Sequence, residues 1–563
     1  MMDWLFTPVA WLFARRPHWR DRIGQTLLRT RTYFYVLLAA GCALAGFWDQ
    51  FIHPFSSALS NASFDWLMSH RPIPYQADQN IVVLDIDESS LAGMAKEYGR
   101  WPWPREVLGR VAAELESHRA QAVVFDILFA DPDIQNPPSE AAFDRYVRGS
   151  SRSFYPIARL NPANDAASQI PLALLNFASR DPASPPAQIN PSRTIALLPP
   201  YFKSIYDSTR MGTHNAYPDA DNVVRWHRNY ELLAGFRIPS LPYRMAEVFK
   251  WPLPRQPRGL LNWPRGETPY PTIPFVTAFK AAQGVDHVFF DRFAGKIVVI
   301  GSTAPSLNDI KATPVDRLHA GVYVLATAID NTRHGSFLRP LNPMIVWLLE
   351  LVLLVPSSWL FARTELSQIA ARGFVVIPTI LIAISLLSVS VSDQLADLSA
   401  PAALVLTYFA IAAVFEKHQR DYVHGVGVFT ANATEQESPL QVACLPPALS
   451  RHQVLQLLCL TEPSIKLWRP PELGLGQRWI AQGWVLWRLA PRTADMRNVS
   501  SSAQIDGISL QWIGVRVERD GNEPFAVAQA IVAAATSPIV DTSPEQDIFA
   551  SQHFKEESSI PIE

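Results

Sequence analysis

Four apolar runs, at 33–51, Leu341–Phe361, Gly373–Val391 and Leu398–Phe415, constrain this chain more than any other feature. Each is close to the roughly 20 residues that a helix needs to cross a bilayer. In lipid only a helix or a closed barrel satisfies its own backbone, so the runs predict four transmembrane helices. Every other segment is thereby sorted to one side of a membrane or the other.

Charge sets the orientation. Arg15, Arg16, Arg20, Arg22, Arg29 and Arg31 precede the first run, against Asp3 and Asp21. Arg363 and Arg372 lie between the second and third runs, and Lys417 and Arg420 follow the fourth. The loop between the third and fourth carries Asp393 and Asp397 and no basic residue. The positive-inside rule then gives a cytoplasmic segment 1–32, a helix at 33–51 and an external domain at 53–340. Helices follow at 341–361, 373–391 and 398–415, then a small cytoplasmic domain at 421–545 and a loose end at 546–563. A cleaved signal peptide is the rival reading of the first run, since Ala43-Leu-Ala45 precedes Gly46; the later helices anchor the chain either way.

Of the three cysteines, Cys42 falls in the first run and Cys444 and Cys459 in the tail, so the external segment has none. A domain of that size buries enough core to do without disulfides. A formal net charge of −2, with no basic patch interleaved with aromatics, argues against a nucleic-acid partner. Many of the 47 prolines fall in 132–202 and 239–274, which read as long loops laid over a core.

The external core is written in short β-branched runs. Ile81–Ile86 is a continuous apolar strand ended by Asp87-Glu-Ser-Ser90, and Gln121–Phe125 is a second, ended by Asp126. Between them Pro104–His118 has helical spacing. Lys296–Ile300 is a third strand, ended by Gly301-Ser-Thr303, and Val322–Thr332 reads as a helix. Strand, helix, strand within so short a span is a βαβ unit, so the expected fold is α/β with a largely parallel sheet.

Ligands of such sheets bind at the carboxyl ends of the strands. Asp85, Asp87, Asp126, Ser302, Thr303 and Asp309 are candidates there, with Asp131 and Asp133 as further acids. Carboxylates on loops suit a hard cation or a cationic solute. The alternative is structural: Asp87 and Asp126 capping helices and tying loops to Arg105. Trp101 and Trp103 offer either a stacking site or large rings packed against the sheet. No metal set is complete in the sequence; Cys444, Cys459, His424 and His452 match no closed zinc spacing.

Within the second apolar run Glu350 is an intramembrane acid, a relay candidate by default, with neutral hydrogen bonding to a hydroxyl such as Ser385 as the alternative. Pro356 and Pro378 are expected to kink their helices and add possible relay points. In the tail, Arg478–Leu489 and Ile505–Glu518 are short tryptophan-rich segments, the second alternating at Ile508, Leu510 and Trp512 as a strand does, and Phe525–Ala534 reads as a helix, giving a small mixed α+β domain. No phosphate loop, kinase loop or cofactor motif is present, so no cofactor is expected.

Phe64-Asp-Trp-Leu67, Val83-Leu-Asp-Ile-Asp-Glu-Ser-Ser-Leu91, Trp101-Pro-Trp-Pro-Arg-Glu106 and Phe125-Asp-Ile-Leu-Phe-Ala-Asp-Pro132 follow one another in order. Gly212-Thr-His-Asn215, Asp219-Ala-Asp-Asn-Val-Val-Arg225, Gly295–Ser302, Asp309, Thr313-Pro314 and Ala320–Ala328 continue the series. Together they resemble the type-2 CHASE domain, an extracellular sensory domain of bacteria, over residues 60–340. The stretch 134–211 and Trp263-Pro-Arg-Gly266 depart from the family pattern. The resemblance implies a periplasmic sensor on a bacterial inner membrane, followed by three membrane helices, and not an enzyme. Its expected partners are a small-molecule or envelope signal, membrane lipid and a cytoplasmic protein, with a homodimer as a further possibility. The alternatives are a scaffold of a membrane assembly and a periplasmic metal-assisted hydrolase built on Asp87 and Asp126, against which stands the lack of a histidine placed with those acids.

Overall fold

A computed structural model of the chain describes residues 31–363 and 367–425, and in the tail the strands Leu440–Cys444, Lys466–Trp468, Val485–Leu489, Ser501–Ile505 and Ile508–Val515. The basic segment before residue 31, the helix expected at Phe525–Ala534, the end 546–563, Cys459 and His452 lie outside the described residues, as does the side chain of His424.

The chain opens with α1 (Arg31–Phe51) and α2 (Ser57–His70). Then come β1 (Ile81–Asp85), α3 (Glu88–Tyr98), α4 (Arg105–Ser117) and β2 (Ala122–Phe125). After α5 (Pro137–Gly149) follow β3 (Ser153–Arg159), β4 (Leu197–Leu198), β5 (Met211–Thr213) and α6 (Leu241–Phe249). The fold continues through β6 (Thr272–Pro274), α7 (Phe275–Gly284), β7 (Ile297–Gly301) and α8 (Gly321–His334). Three long helices close it: α9 (Pro343–Arg363), α10 (Ser367–Val391) and α11 (Ser399–Gly425). Two compact units result. One holds Asp49–Val346 with Thr379–Ala402, the other Met1–Trp48, Trp347–Pro378 and Ala403–Glu563.

In the first unit the strands form one seven-stranded sheet in the order β6–β1–β7–β2–β3–β4, with β5 also on β3. All pairings are parallel except that of β4. A parallel sheet is covered on both faces, which is why β1 and β7 are apolar at successive positions. Alternate residues then serve opposite layers. Val82, Leu84, Val123 and Ile300 pack with Val107, Val111 and Leu115 of α4 and Phe275 of α7. Ile81, Val83, Val124 and Val299 pack with Leu241 of α6 and Val322, Leu325 and Ile329 of α8. The expected α/β fold with a largely parallel sheet is present.

A third cluster joins Phe64, Leu67 and Met68 of α2 to Leu261, Trp263, Ala328 and Val389. Arg71, buried at the end of α2, donates to Asn262 Oδ1 at 2.7 Å and to the Trp263 carbonyl. Among the described residues no carboxylate accepts from it, and burial pushes its pKa down to about 10, reinforced by the charge of Arg265.

In the second unit Tyr35, Ala39 and Cys42 of α1 pack with Leu354 and Phe361 of α9 and with Val405, Tyr408 and Ala412 of α11. Trp347 Nε1 donates to the Ala43 carbonyl at 3.0 Å. Among the described residues three helices are long and apolar enough to cross a membrane: Tyr33–Phe51, Pro343–Phe361 and Gly373–Val391. The fourth apolar stretch, Ser399–Phe415, is shorter than the others and forms the first part of α11. Leu37, Leu44, Val352 and Val375 are among the large apolar side chains these helices leave exposed. Assigned helix runs on through both Pro356 and Pro378.

The tail strands form a five-stranded antiparallel sheet in the order Lys466–Trp468, Val485–Leu489, Leu440–Cys444, Ile508–Val515, Ser501–Ile505. The alternation of Ile508, Leu510 and Trp512 thus falls on a strand, and the second half of Arg478–Leu489 does too.

Candidate functional site

The carboxyl ends of β1, β2, β5 and β7 gather polar side chains with three different fates. Asp85 ends β1 and is buried, accepting from Thr303 N at 2.8 Å and Thr303 Oγ1 at 2.5 Å. Burial pushes its carboxyl up, and the Thr303 bonds oppose that. Ser302 Oγ donates to the Ile86 carbonyl at 2.7 Å. Asp85, Ser302 and Thr303 thereby stitch the end of β1 to the end of β7.

Asp87 is the N-cap of α3. Its side chain accepts from Ser90 N and Ser89 Oγ, both at 2.7 Å. Burial works against its charge, but these bonds hold its carboxyl below the usual range. A cap of this kind satisfies donors that the first helical turn leaves free.

Asp126 differs from both. Among the described residues no donor reaches its carboxyl group. Burial pushes it up to about 7, helped by the charge of Asp309 and opposed by Lys311. Asp309 Oδ1 accepts from Lys311 Nζ at 2.8 Å, and the Asp309 carbonyl accepts from Gly321 N at 2.9 Å. The Asp309 carboxylate therefore lies at the start of α8, where the positive end of the helix dipole favours an anion. Two glycines make room. A Cβ at Gly321 would overlap Asp309 Oδ2, and one at Gly301 would stand 2.6 Å from Val322 Cγ2 and 3.0 Å from Asp126 Cβ.

His214, just past β5, completes this corner. Burial holds its imidazole below the usual range, against the pull of the Ile157 carbonyl and the Asp309 carboxylate. His214 feels the charge of Asp309 because β5 pairs in parallel with β3 and carries Thr213 and His214 to this end of the sheet; the groups acting on Asp87 and Asp126 include no histidine among the described residues. Lys311 was equally silent in the sequence. It reaches the site on the short hairpin in which Ile310-Lys311 pairs with His319-Ala320.

Trp101, Trp103 and Arg105 stand apart from this corner. Trp103 is 2 % exposed, stacks on Phe275 at 5.5 Å and meets Trp101 edge-on at 5.0 Å. Arg105 does not tie down Asp87 or Asp126. It pairs with Glu140 Oε1 at 3.0 Å, donates to the Asp131 carbonyl and lies over the rings of Phe129 and Phe202. The competing partner sits on α5, whose position the sequence did not reveal. Asp133 accepts from Asn136 within its own loop.

In the second unit Glu350 is 1 % exposed, and its carboxylate lies against Gly46 of α1. Ser385, which belongs to the first unit, donates to the Leu381 carbonyl at 3.0 Å and accepts from Leu398 N at 3.3 Å.

Residues 36–362, from within α1 almost to the end of α9, match the CHASE2 domain. The chain belongs to the CHASE2 family. CHASE2 domains are extracellular sensory domains, so the parallel sheet and its carboxyl-end corner belong to a sensory module. The CHASE2 match takes in α2 and the Arg225 segment as well as the sheet. No curated protein and no solved structure shows a match.

Proposed function

We propose that the protein is a non-enzymatic sensor of the bacterial inner membrane. Its CHASE2 domain faces the periplasm, both termini are cytoplasmic, and α9, α10 and α11 carry the signal to a tail that contacts a second protein. The signal is a small solute that is cationic or rich in hydrogen-bond donors, bound where Asp126, Asp309, Lys311 and His214 meet. The observation that carries this reading is Asp126: a carboxyl group with no donor among the described residues, poised near neutrality, at the end of a parallel sheet where such folds bind ligands. Asp85 and Asp87, by contrast, already have their donors from within the fold.

Membrane-embedded full-length protein is the material for the test. A screen of amines, amino acids and divalent ions by thermal shift should find a stabilising class whose effect is lost in Asp126→Asn and kept in Asp87→Asn. Reporter fusions after Arg420 should behave as cytoplasmic and fusions within 53–340 as exported. An exported signal after Arg420 would reverse the wiring and end this reading.

A further inference from the structure

The amino end of the sheet carries a second constellation, opposite to the acidic corner. Glu114 and His118 are one turn apart at the end of α4, where His118 is the C-terminal cap residue, shortly before β2 begins. His287 and Asp291 are one turn apart on the short helix His287–Asp291, shortly before β7. Residues so spaced share a helix face. The two faces meet: His118 Nε2 lies 3.1 Å from His287 Nδ1 and 3.9 Å from Glu114 Oε2. His118 Nδ1 lies 2.8 Å from Asp291 Oδ1. One donor atom each from Glu114, His118 and His287 falls within 4.8 Å of the others.

The bond to Asp291 fixes the proton of neutral His118 on Nδ1, leaving Nε2 as a lone pair. The Glu114 carboxylate and, in its Nε2–H tautomer, His287 Nδ1 then face that lone pair, so a cation among the three atoms would take a lone pair from each. A tetrahedral zinc ion with bonds of about 2.0–2.1 Å holds its ligand atoms about 3.3–3.4 Å apart. The separations of 3.1 and 3.9 Å bracket that value. His287 presents Nδ1 to the ion simply by carrying its proton on Nε2. A carboxylate on the far nitrogen of a coordinating imidazole is the usual outer partner of such sites, and Asp291 holds that place.

We propose that Glu114, His118 and His287 form a Zn²⁺ site, with Asp291 as the positioning residue for His118. Two imidazoles favour a borderline ion over Ca²⁺ or Mg²⁺, which take oxygen ligands. His287 is exposed and the Asp291 side chain is 70 % exposed, so the fourth position opens to solvent. The other clustered set, Asp78, Asp330 and His334, does not compete, because the Arg333 guanidinium sits 3.0 Å from Asp78 Oδ2 and supplies the positive charge itself.

The test uses the full chain in lipid nanodiscs, stripped with a chelator and titrated with Zn²⁺ by calorimetry, with Co²⁺ absorbance as the probe of tetrahedral geometry. Relative to wild type, His287→Gln and His118→Gln should each lose one equivalent of zinc, and Asp291→Asn should weaken that equivalent about tenfold or more. His334→Gln should bind as wild type does. His287 is exposed, so His287→Gln keeps the fold, which circular dichroism checks, and it decides the matter if His118→Gln unfolds. Zinc binding by His287→Gln with wild-type stoichiometry and affinity overturns the proposal, as does a wild-type chain that binds none.

Discussion

The guanidinium of Arg225 takes both carboxylate oxygens of Asp65, Nε to Oδ1 at 2.8 Å and Nη2 to Oδ2 at 2.7 Å. Asp65 lies on α2, and Asp219 and Asp221 complete the clasp around the same cation at 3.0 and 2.9 Å. The side chain of Arg225 is 2 % exposed, so this cluster pins α2 to the sensory domain through a buried charge. Removing the cation leaves three carboxylates facing one another. Arg225→Ala should cost about 3–5 kcal/mol, as for other broken buried pairs. Asp65→Asn leaves two partners in place and should cost about 1–2 kcal/mol. Thermal unfolding of the full chain in detergent gives the order; equal losses would show that Asp65 alone holds the cation.

Gly321 is where the acidic corner is most sensitive to a single methyl group. A Cβ there would stand 2.6 Å from Asp309 Cγ and overlap Oδ2. Gly321→Ala should therefore push the Asp309 carboxylate off the start of α8 and weaken ligand-induced stabilisation, with a stability loss of about 1–3 kcal/mol from overpacking. Gly335→Ala probes instead the glycine that caps the end of α8, with open space around it and a positive φ of 65°. It should cost stability and leave the ligand response intact. A full ligand response in Gly321→Ala would remove Asp309 from the site.

The strands of the sheet were legible because a parallel sheet buries both faces, and that writes unbroken apolar runs such as Ile81-Val-Val-Leu84 and Ile297-Val-Val-Ile300 into the sequence. Asp85 and Asp126 were legible for the same reason, as the polar residues that end those runs. His214 and Lys311 were not. They reach Asp309 through β5 on β3 and through a two-residue hairpin strand, pairings too short to leave a periodic pattern. Arg105 misled for a related reason: its proximity in sequence to Asp87 and Asp126 said nothing of Glu140, which α5 brings to it. His118 and His287, 169 residues apart, carry no spacing that a sequence could show.

Asp126 gives the acidic corner a pH dependence of known sign. Its carboxyl is pushed up to about 7 in the folded protein, above the ordinary carboxylate value near 4. Between those values the folded state holds a proton that the unfolded chain has released, so stability falls as pH rises from about 4 to about 7 and levels off above that. Asp126→Asn should abolish this component and be more stable than wild type at pH 8, with the two converging toward pH 4. Melting curves across that range check it; parallel curves would mean that the carboxyl titrates as it does in water.

His227 acts in the opposite direction. It is buried against Ser240 Oγ at 3.0 Å, and burial pushes its imidazole down to about 4. It therefore favours folding fully above about 6.5 and loses that contribution as pH falls toward 4, by at most ~3 kcal/mol. His227→Gln should leave the fall of stability from about pH 4 to 7 uncompensated, and Asp126→Asn should leave the rise from about pH 4 to 6.5 uncompensated. Since the two contributions have opposite signs over nearly the same range, they largely cancel in the wild type, and melting curves of each single variant should show more pH dependence between 4 and 7 than those of the double variant.

Gly46 and Glu350 allow the apolar helices α1 and α9 to be tested without knowing the signal. A Cβ at Gly46 would overlap Glu350 Oε2 and stand 2.9 Å from Cδ, so α1 approaches α9 closely only because position 46 has no side chain. Small residues commonly permit such approaches between helices in lipid. Gly46→Ala should destabilise the detergent-solubilised protein by about 1–3 kcal/mol, since the carboxylate has to leave its place. Glu350→Ala removes the obstructing atoms, so the double variant should be more stable than the sum of the single losses predicts, a coupling of the kind found between touching residues. Strict additivity would mean that Glu350 has already moved aside. The same pair then serves as a relay assay: if Gly46→Ala abolishes a ligand-dependent change in cross-linking between α1 and α9 while thermal-shift binding persists, the signal passes through this contact, and unchanged cross-linking removes it from the path.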